Sequence, residues 1–159
     1  MRKTMINPVT ENILSSDLAF LDLEQLAQIE FTSECQEHPV ESALLLEADS
    51  SGGWQAASAG EQIIRIIFDQ ALVVKDIVLV FDEQQQSRTQ EFVLLWLKDK
   101  ESTYREVIRQ QYHFSPPTTT LETEHYEVKL EQLKALELRI IPDISGGESI
   151  AKLKMLRLS

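Results

Sequence analysis

Cysteine is almost missing: Cys35 is the only one in 159 residues. A disulfide framework within the chain is therefore excluded. Glycine is scarce too, at five, and none falls in a GxGxxG or GxxxxGK spacing, so no phosphate-cradling loop is written here. The three histidines, His38, His113 and His125, lie far apart. No CxxC, HxxxH or HExxH spacing occurs, which argues against a zinc site. No GxSxG elbow marks a serine nucleophile, and nothing else demands catalysis. Basic residues number 15 against 26 acidic ones and form no cluster. The net charge of -11 repels nucleic-acid phosphates and anionic lipid. No apolar run approaches the roughly 20 residues of a membrane span. The first residues, Met1 to Leu18, lack the apolar core of about 7–15 residues that a secretory signal carries. The expectation is a soluble cytoplasmic protein, not an enzyme, with no nucleic-acid or membrane partner.

What is present is a succession of short, apolar, alternating segments. Hydrophobic content of 43% with 26% charged residues is ordinary for one globular domain. Residues 1–14 carry no sustained periodicity and read as a mobile leader to a single domain over 15–159. Leu26 to Thr32 alternates, with Ala27, Ile29 and Phe31 on one face, which predicts a strand. Val40 to Leu46 fits one helical turn with Val40, Ala43 and Leu44 inward. Asp49 to Gly53 is a turn cluster, and Trp54 after the glycine pair reads as a buried plug. Strands are then expected at Glu61 to Phe68, Lys75 to Phe81, Glu91 to Leu97, Tyr104 to Phe114, Thr123 to Leu130, Leu136 to Ile140 and Ile150 to Leu158. The Met155-Leu156 doublet breaks the alternation of the last, which predicts a bulge. Long helical periodicity is missing. The predicted fold is all-β: an antiparallel sandwich of about eight strands with at most one short helix.

Three stretches carry a family pattern: Phe31 to Leu44 with its His38-Pro39 element and Ala43-Leu44 turn, Gly53-Trp54, and Gly60 to Phe68. Together they resemble the discoidin, or coagulation-factor type C, family of galactose-binding-like jelly rolls. Leu136 to Ile141 and Ile150 to Leu158 resemble its last two strands, so the likeness spans roughly residues 26–158. It implies a sandwich whose loops at one end bind sugars, phospholipid or proteins, usually without catalysis. Sugar-binding members hold a structural calcium through an Asp-Gly loop before the Trp and a Glu in the last strand. Here Leu46 to Trp54 has no Asp-Gly, and the last strand offers Lys152, Lys154 and Met155. No calcium and no other cofactor is expected.

Ligand-binding candidates are polar side chains near strand ends. Arg88 and Gln90 open a strand and can project to a loop end, Arg109 can join them from the next strand, and His38 sits in the His-Pro loop. The competing reading of the arginines is cross-strand pairing with glutamate, worth only about 0.2–1 kcal/mol when exposed. The resulting expectation is a non-catalytic binding module, with carbohydrate as the candidate ligand, acting through loops at one end. The alternative is a protein–protein adaptor or assembly subunit with no small ligand. Oligomeric state is not legible.

Overall fold

The computed structural model describes residues 1–3, 19–46 and 52–159. Residues 4–14 of the expected leader, and Asp49 to Ser51 of the expected turn, lie outside the described residues. The described elements run α1 (Leu23–Leu26), β1 (Ala27–Phe31), α2 (Glu41–Leu44), β2 (Trp54–Gln55), β3 (Gln62–Asp82), β4 (Arg88–Lys98), β5 (Arg105–Phe114), β6 (Leu121–Ile141), β7 (Lys152–Leu153) and β8 (Met155–Leu158). All strand pairs are antiparallel.

Two strands do most of the building. β3 and β6 are each 21 residues long and pair with each other along nearly their whole length. The first half of β3 and the second half of β6 form one layer with β1, β4 and β5. The second half of β3 and the first half of β6 form a second layer with β8. The sequence predicts four separate strands in these places. Instead each pair is one strand that bends from layer to layer. The bend falls where the β3–β6 register shifts, between Ile67 and Asp76, since bulges sharpen the bend and twist of a strand. The connecting segment around Asp69 and Val73 is polar or exposed. Lys134 ties the bend by donating to the carbonyls of Phe68 at 2.7 Å and Asp69 at 3.1 Å. No turn chemistry interrupts the segment, so the backbone has no reason to leave extended geometry there.

Between the layers lie Ile64, Ile66, Phe68, Ile77, Leu79, Phe81, Phe92, Leu94 and Phe114, none more than 1% exposed. Alternation explains this list: successive side chains on a strand point to opposite faces. Each such side chain contributes about 1.5–3 kcal/mol by leaving water. Trp54 is fully buried, and its indole N–H donates to the Ser33 carbonyl at 3.0 Å. Gly53 before it has φ +60°, and a Cβ there would run into the Leu153 carbonyl. The glycine is thus required by both conformation and space.

The helical turn expected near Val40 is α2, with Val40, Ala43 and Leu44 buried. A second single turn, α1, exceeds the one expected; Asp22 accepts from Glu24 N–H at its start. Arg157 is buried and donates to the carbonyls of Ala43 and Leu45, satisfying the end of α2. The irregularity expected at Met155-Leu156 falls one residue earlier, at Lys154. There the chain changes partner, from β2 to β3, and the Lys154 N–H reaches the Val80 carbonyl at 2.9 Å.

Candidate binding site at the loop end

One end of the sandwich collects the connections. β3 finishes there at Asp82, β4 starts at Arg88, β5 ends at Phe114, β6 begins at Leu121 and its second half returns to Ile141. Between the β3–β4 loop and the β2–β7 ribbon lie two adjoining depressions of about 220 and 240 Å³. Both are lined by Gln55, Gln85 and Lys152; Asp82, Gln84 and Lys154 also line one, and Glu83, Gln86 and Glu148 the other. Among the described residues, no aromatic side chain lines either. A glutamine amide both donates and accepts, so this surface suits a ligand rich in groups that do both.

The cleft is shaped by one of its own lining residues. Glu83 is 1% exposed. Its Oε1 takes Arg88 Nε at 2.8 Å, and its Oε2 takes Lys152 Nζ at 3.3 Å. The same Oε2 accepts the backbone N–H of Gln85 at 3.0 Å and lies 3.4 Å from that of Gln86. One carboxylate therefore fixes the backbone of the glutamine loop and one wall of the cleft together. Burial pushes the Glu83 carboxyl up. The Arg88 hydrogen bond, the Gln85 N–H and the charges of Lys152 and Arg88 outweigh that and hold it below the ordinary carboxylate range.

The four residues singled out from the sequence land in three places. Arg88 and Gln90 are buried, at 2% and 0% exposed. Arg88 also donates to the Pro142 carbonyl at 2.7 Å and lies over the Phe114 ring, with its guanidinium carbon 4.9 Å from the centroid. Gln90 accepts from Arg88 at 3.4 Å and donates to Glu122 at 3.2 Å. These two side chains engage protein groups and act on the cleft only through Glu83. His38 is half-buried beside the cleft, against Gly52, where a Cβ would lie 2.8 Å from its ring. Arg109 stands apart in the middle of β5. It faces outward opposite Val93 and bonds Glu91 at 3.2 Å and Glu106 at 3.0 Å.

Gln55, Glu83, Lys152 and Lys154 were not among the expected ligand residues. Glu83 and the run Gln84 to Gln86 lie in the loop Asp82 to Arg88, one of the three loops where the sequence places any site; nothing in the sequence singles out Gln55, Lys152 or Lys154. Among the described residues, no group of three or more His, Cys, Asp or Glu could hold a metal ion. No helix there is long and apolar enough to cross a membrane.

No protein-family model matches the sequence, and no curated protein matches it. Solved structures do match, by shape. The family 32 carbohydrate-binding module of C. perfringens NanJ, solved with galactose, superposes with a TM-score of 0.62 at 12% identity, over 87% of this chain and 96% of that one. The family 32 module of AlyQ, in complex with 4,5-unsaturated mannuronic acid, gives 0.60 at 15% identity, over 89% and 98%. Reduced XRCC1 bound to the DNA polymerase beta catalytic domain gives 0.60 at 12% identity, again over 89% and 98%. The chain therefore has the antiparallel jelly-roll sandwich fold of these structures, the fold that the resemblance in its sequence implies. At these identities the likeness is one of fold.

Proposed function

We propose that this chain is a non-catalytic binding module that holds a carbohydrate in the glutamine-lined cleft at its loop end. The observation that carries the reading is a cleft lined by glutamine amides and lysines in which Glu83 holds the Gln85–Gln86 backbone and the Lys152 ammonium in place. Hydroxyl groups donate and accept, as the amides of Gln55, Gln84, Gln85 and Gln86 do. A loop backbone held by a buried carboxylate loses little freedom on binding, which favours affinity. Modules of this fold solved with galactose and with an unsaturated mannuronic acid support the ligand class. In this reading His38 borders the site, Arg88 and Gln90 support it from below, Arg109 takes no part, and neither a metal nor a cofactor is needed. The module works in the cytoplasm.

A second reading, a protein–protein adaptor, is favoured by two observations. Among the described residues the cleft lining offers no aromatic ring for a sugar to stack on, and XRCC1, of the same fold, is bound to another protein.

A glycan array followed by NMR titration of the best glycan tests the choice. Sugar binding predicts saturable shifts at Gln55, Gln84, Gln85 and Lys152, and at least about tenfold weaker binding in Gln85→Ala. An array without signal, together with capture of a protein that Lys152→Met fails to capture, would replace the first reading with the second.

A further inference from the structure

β1 ends its layer on one side and, among the described residues, pairs only with β3. Its other edge is open. The parity of the strand says which groups point there. The Thr32 N–H donates to the Ile63 carbonyl at 3.0 Å, so Thr32, Glu30 and Gln28 turn their backbone groups to β3. Ile29 and Phe31 turn theirs outward. Ala27 does so with its C=O alone, since its N–H is taken by the Leu23 carbonyl. An open row of N–H and C=O groups is a template for another strand.

Little on β1 blunts that template. Protected edges carry Lys, Pro or a bulge; Ala27–Phe31 reads AQIEF, and its register to β3 is unbroken. Its one charge, Glu30, is met by Arg65 at 2.7 Å. Large apolar side chains stand exposed at both ends, Leu26 at 36% and Phe31 at 40%. Beside the Phe31 end lies a depression of about 150 Å³, lined by Glu30, Phe31, Thr32, Ile63 and Arg65.

The edge is complementary to itself. A two-fold axis normal to the sheet lays two copies of β1 antiparallel and keeps their faces matched, so each residue meets one of its own parity. With the axis at Ile29, Ile29 meets Ile29, Ala27 meets Phe31, and Gln28 meets Glu30 of the second copy. The two Ile29 residues exchange both backbone bonds, and each Phe31 N–H meets the other copy's Ala27 carbonyl. The small Ala27 leaves room for the Phe31 ring, and the Gln28 amide donates to the Glu30 carboxylate. Leu26 arrives beside Thr32 of the second copy, where the depression lies. Neighbouring registers fail. An axis at Glu30 sets two carboxylates face to face. An axis at Gln28 sets Phe31 against Gln25, which is helical.

We propose that the free edge of β1 is a homodimer contact, in which two copies of this chain join their β1 strands antiparallel with Ile29 on the two-fold axis. The loop ends of the two copies then point in opposite directions. Five residues a side form a small interface of the transient class. The contact is independent of what the loop-end cleft binds.

The test is sedimentation equilibrium of the full chain up to about 1 mM, in physiological salt, which screens the net charge of -11. A monomer–dimer equilibrium with a midpoint on the order of 0.1 mM is expected. Gln28→Lys sets an ammonium against Glu30 twice in the dimer and should tighten it about fivefold; Gln28→Glu should weaken it about as much. Phe31→Lys should leave only monomer. Gln28 and Phe31 are exposed, so these variants keep the fold. Gln111→Lys, on β5, makes the same change in net charge and should leave the midpoint in place. A chain that stays monomeric throughout would overturn the proposal. So would a dimer that survives Phe31→Lys, or Gln28 variants that move the midpoint no more than Gln111→Lys does.

Discussion

Glu83 and Glu122 are both about 1% exposed near the same end of the sandwich, and a chain of hydrogen bonds joins them. It runs from Lys152 to Glu83 at 3.3 Å, on to Arg88 at 2.8 Å, to Gln90 at 3.4 Å and to Glu122 at 3.2 Å. Yet they sit in opposite electrostatic states. Glu83 has a guanidinium, an ammonium and backbone N–H groups, and it is held below the ordinary carboxylate range. Glu122 has one amide and a second carboxyl group, and it is pushed up to about 8. Burial is common to both, so burial does not decide the outcome. The number and sign of the partners do. Glu83 acts as a fixed anion that organises a loop, whereas Glu122 acts as an acid that keeps its proton at neutral pH.

The largest break in this comparison is Arg88→Met. It leaves Glu83 with only the half-buried Lys152 as counter-charge, and removing one partner of a buried pair costs about 3–5 kcal/mol. Urea denaturation should show that loss at neutral pH, and the Glu83 carboxyl should titrate higher. A loss under about 1 kcal/mol would mean that water reaches Glu83.

Next in size is the pH dependence, whose sign differs between the two glutamates. The folded-state pKa of Glu122 is raised, so its contribution to stability is full below the ordinary carboxylate value and is lost as pH rises to about 8. That of Glu83 is lowered, so its contribution is present above the ordinary value and is lost as pH falls through the folded-state value. Melting temperature against pH should therefore decline on both limbs. Glu122→Gln should flatten the alkaline limb and leave the acid limb in place.

A smaller effect is expected from Lys152→Met, because Lys152 is partly exposed and Arg88 remains: about 1 kcal/mol of stability, with a larger loss of ligand binding. The smallest is Arg109→Ala. Its bonds to Glu91 and Glu106 are at the surface, so the melting temperature should not move beyond experimental scatter.

Much of the fold is legible in the residues. The alternation of Ile64, Ile66 and Phe68, the apolar run Lys75 to Phe81 and the buried Trp54 read directly, because burial on a strand has a period of two; Phe31, grouped with Ala27 and Ile29 on one face, is instead 40% exposed. Merging of the expected strands into β3 and β6 was not legible. A strand that crosses between layers keeps extended geometry, and its bend comes from pairing register rather than from glycine or proline. The site was legible only in part. Arg88 and Gln90 stood out as long polar side chains at a strand entrance, which is true of their position. Their inward direction depends on a parity set by Phe92 and Leu94 packing against β3. Lys152 could not be paired with Glu83 by inspection, since 69 residues separate them.

The sequence by itself determined the class: no disulfide framework, no phosphate loop, a strongly acidic chain, and short alternating segments that bury one face each. Those properties are local, carried by residue type and by spacing along a few positions. Only the tertiary structure decided that Glu83 would be surrounded by cations and Glu122 would not. Both are glutamates near a strand end. What separates them is which distant strand the antiparallel register lays alongside, and electrostatic partners at 3 Å are a property of that register.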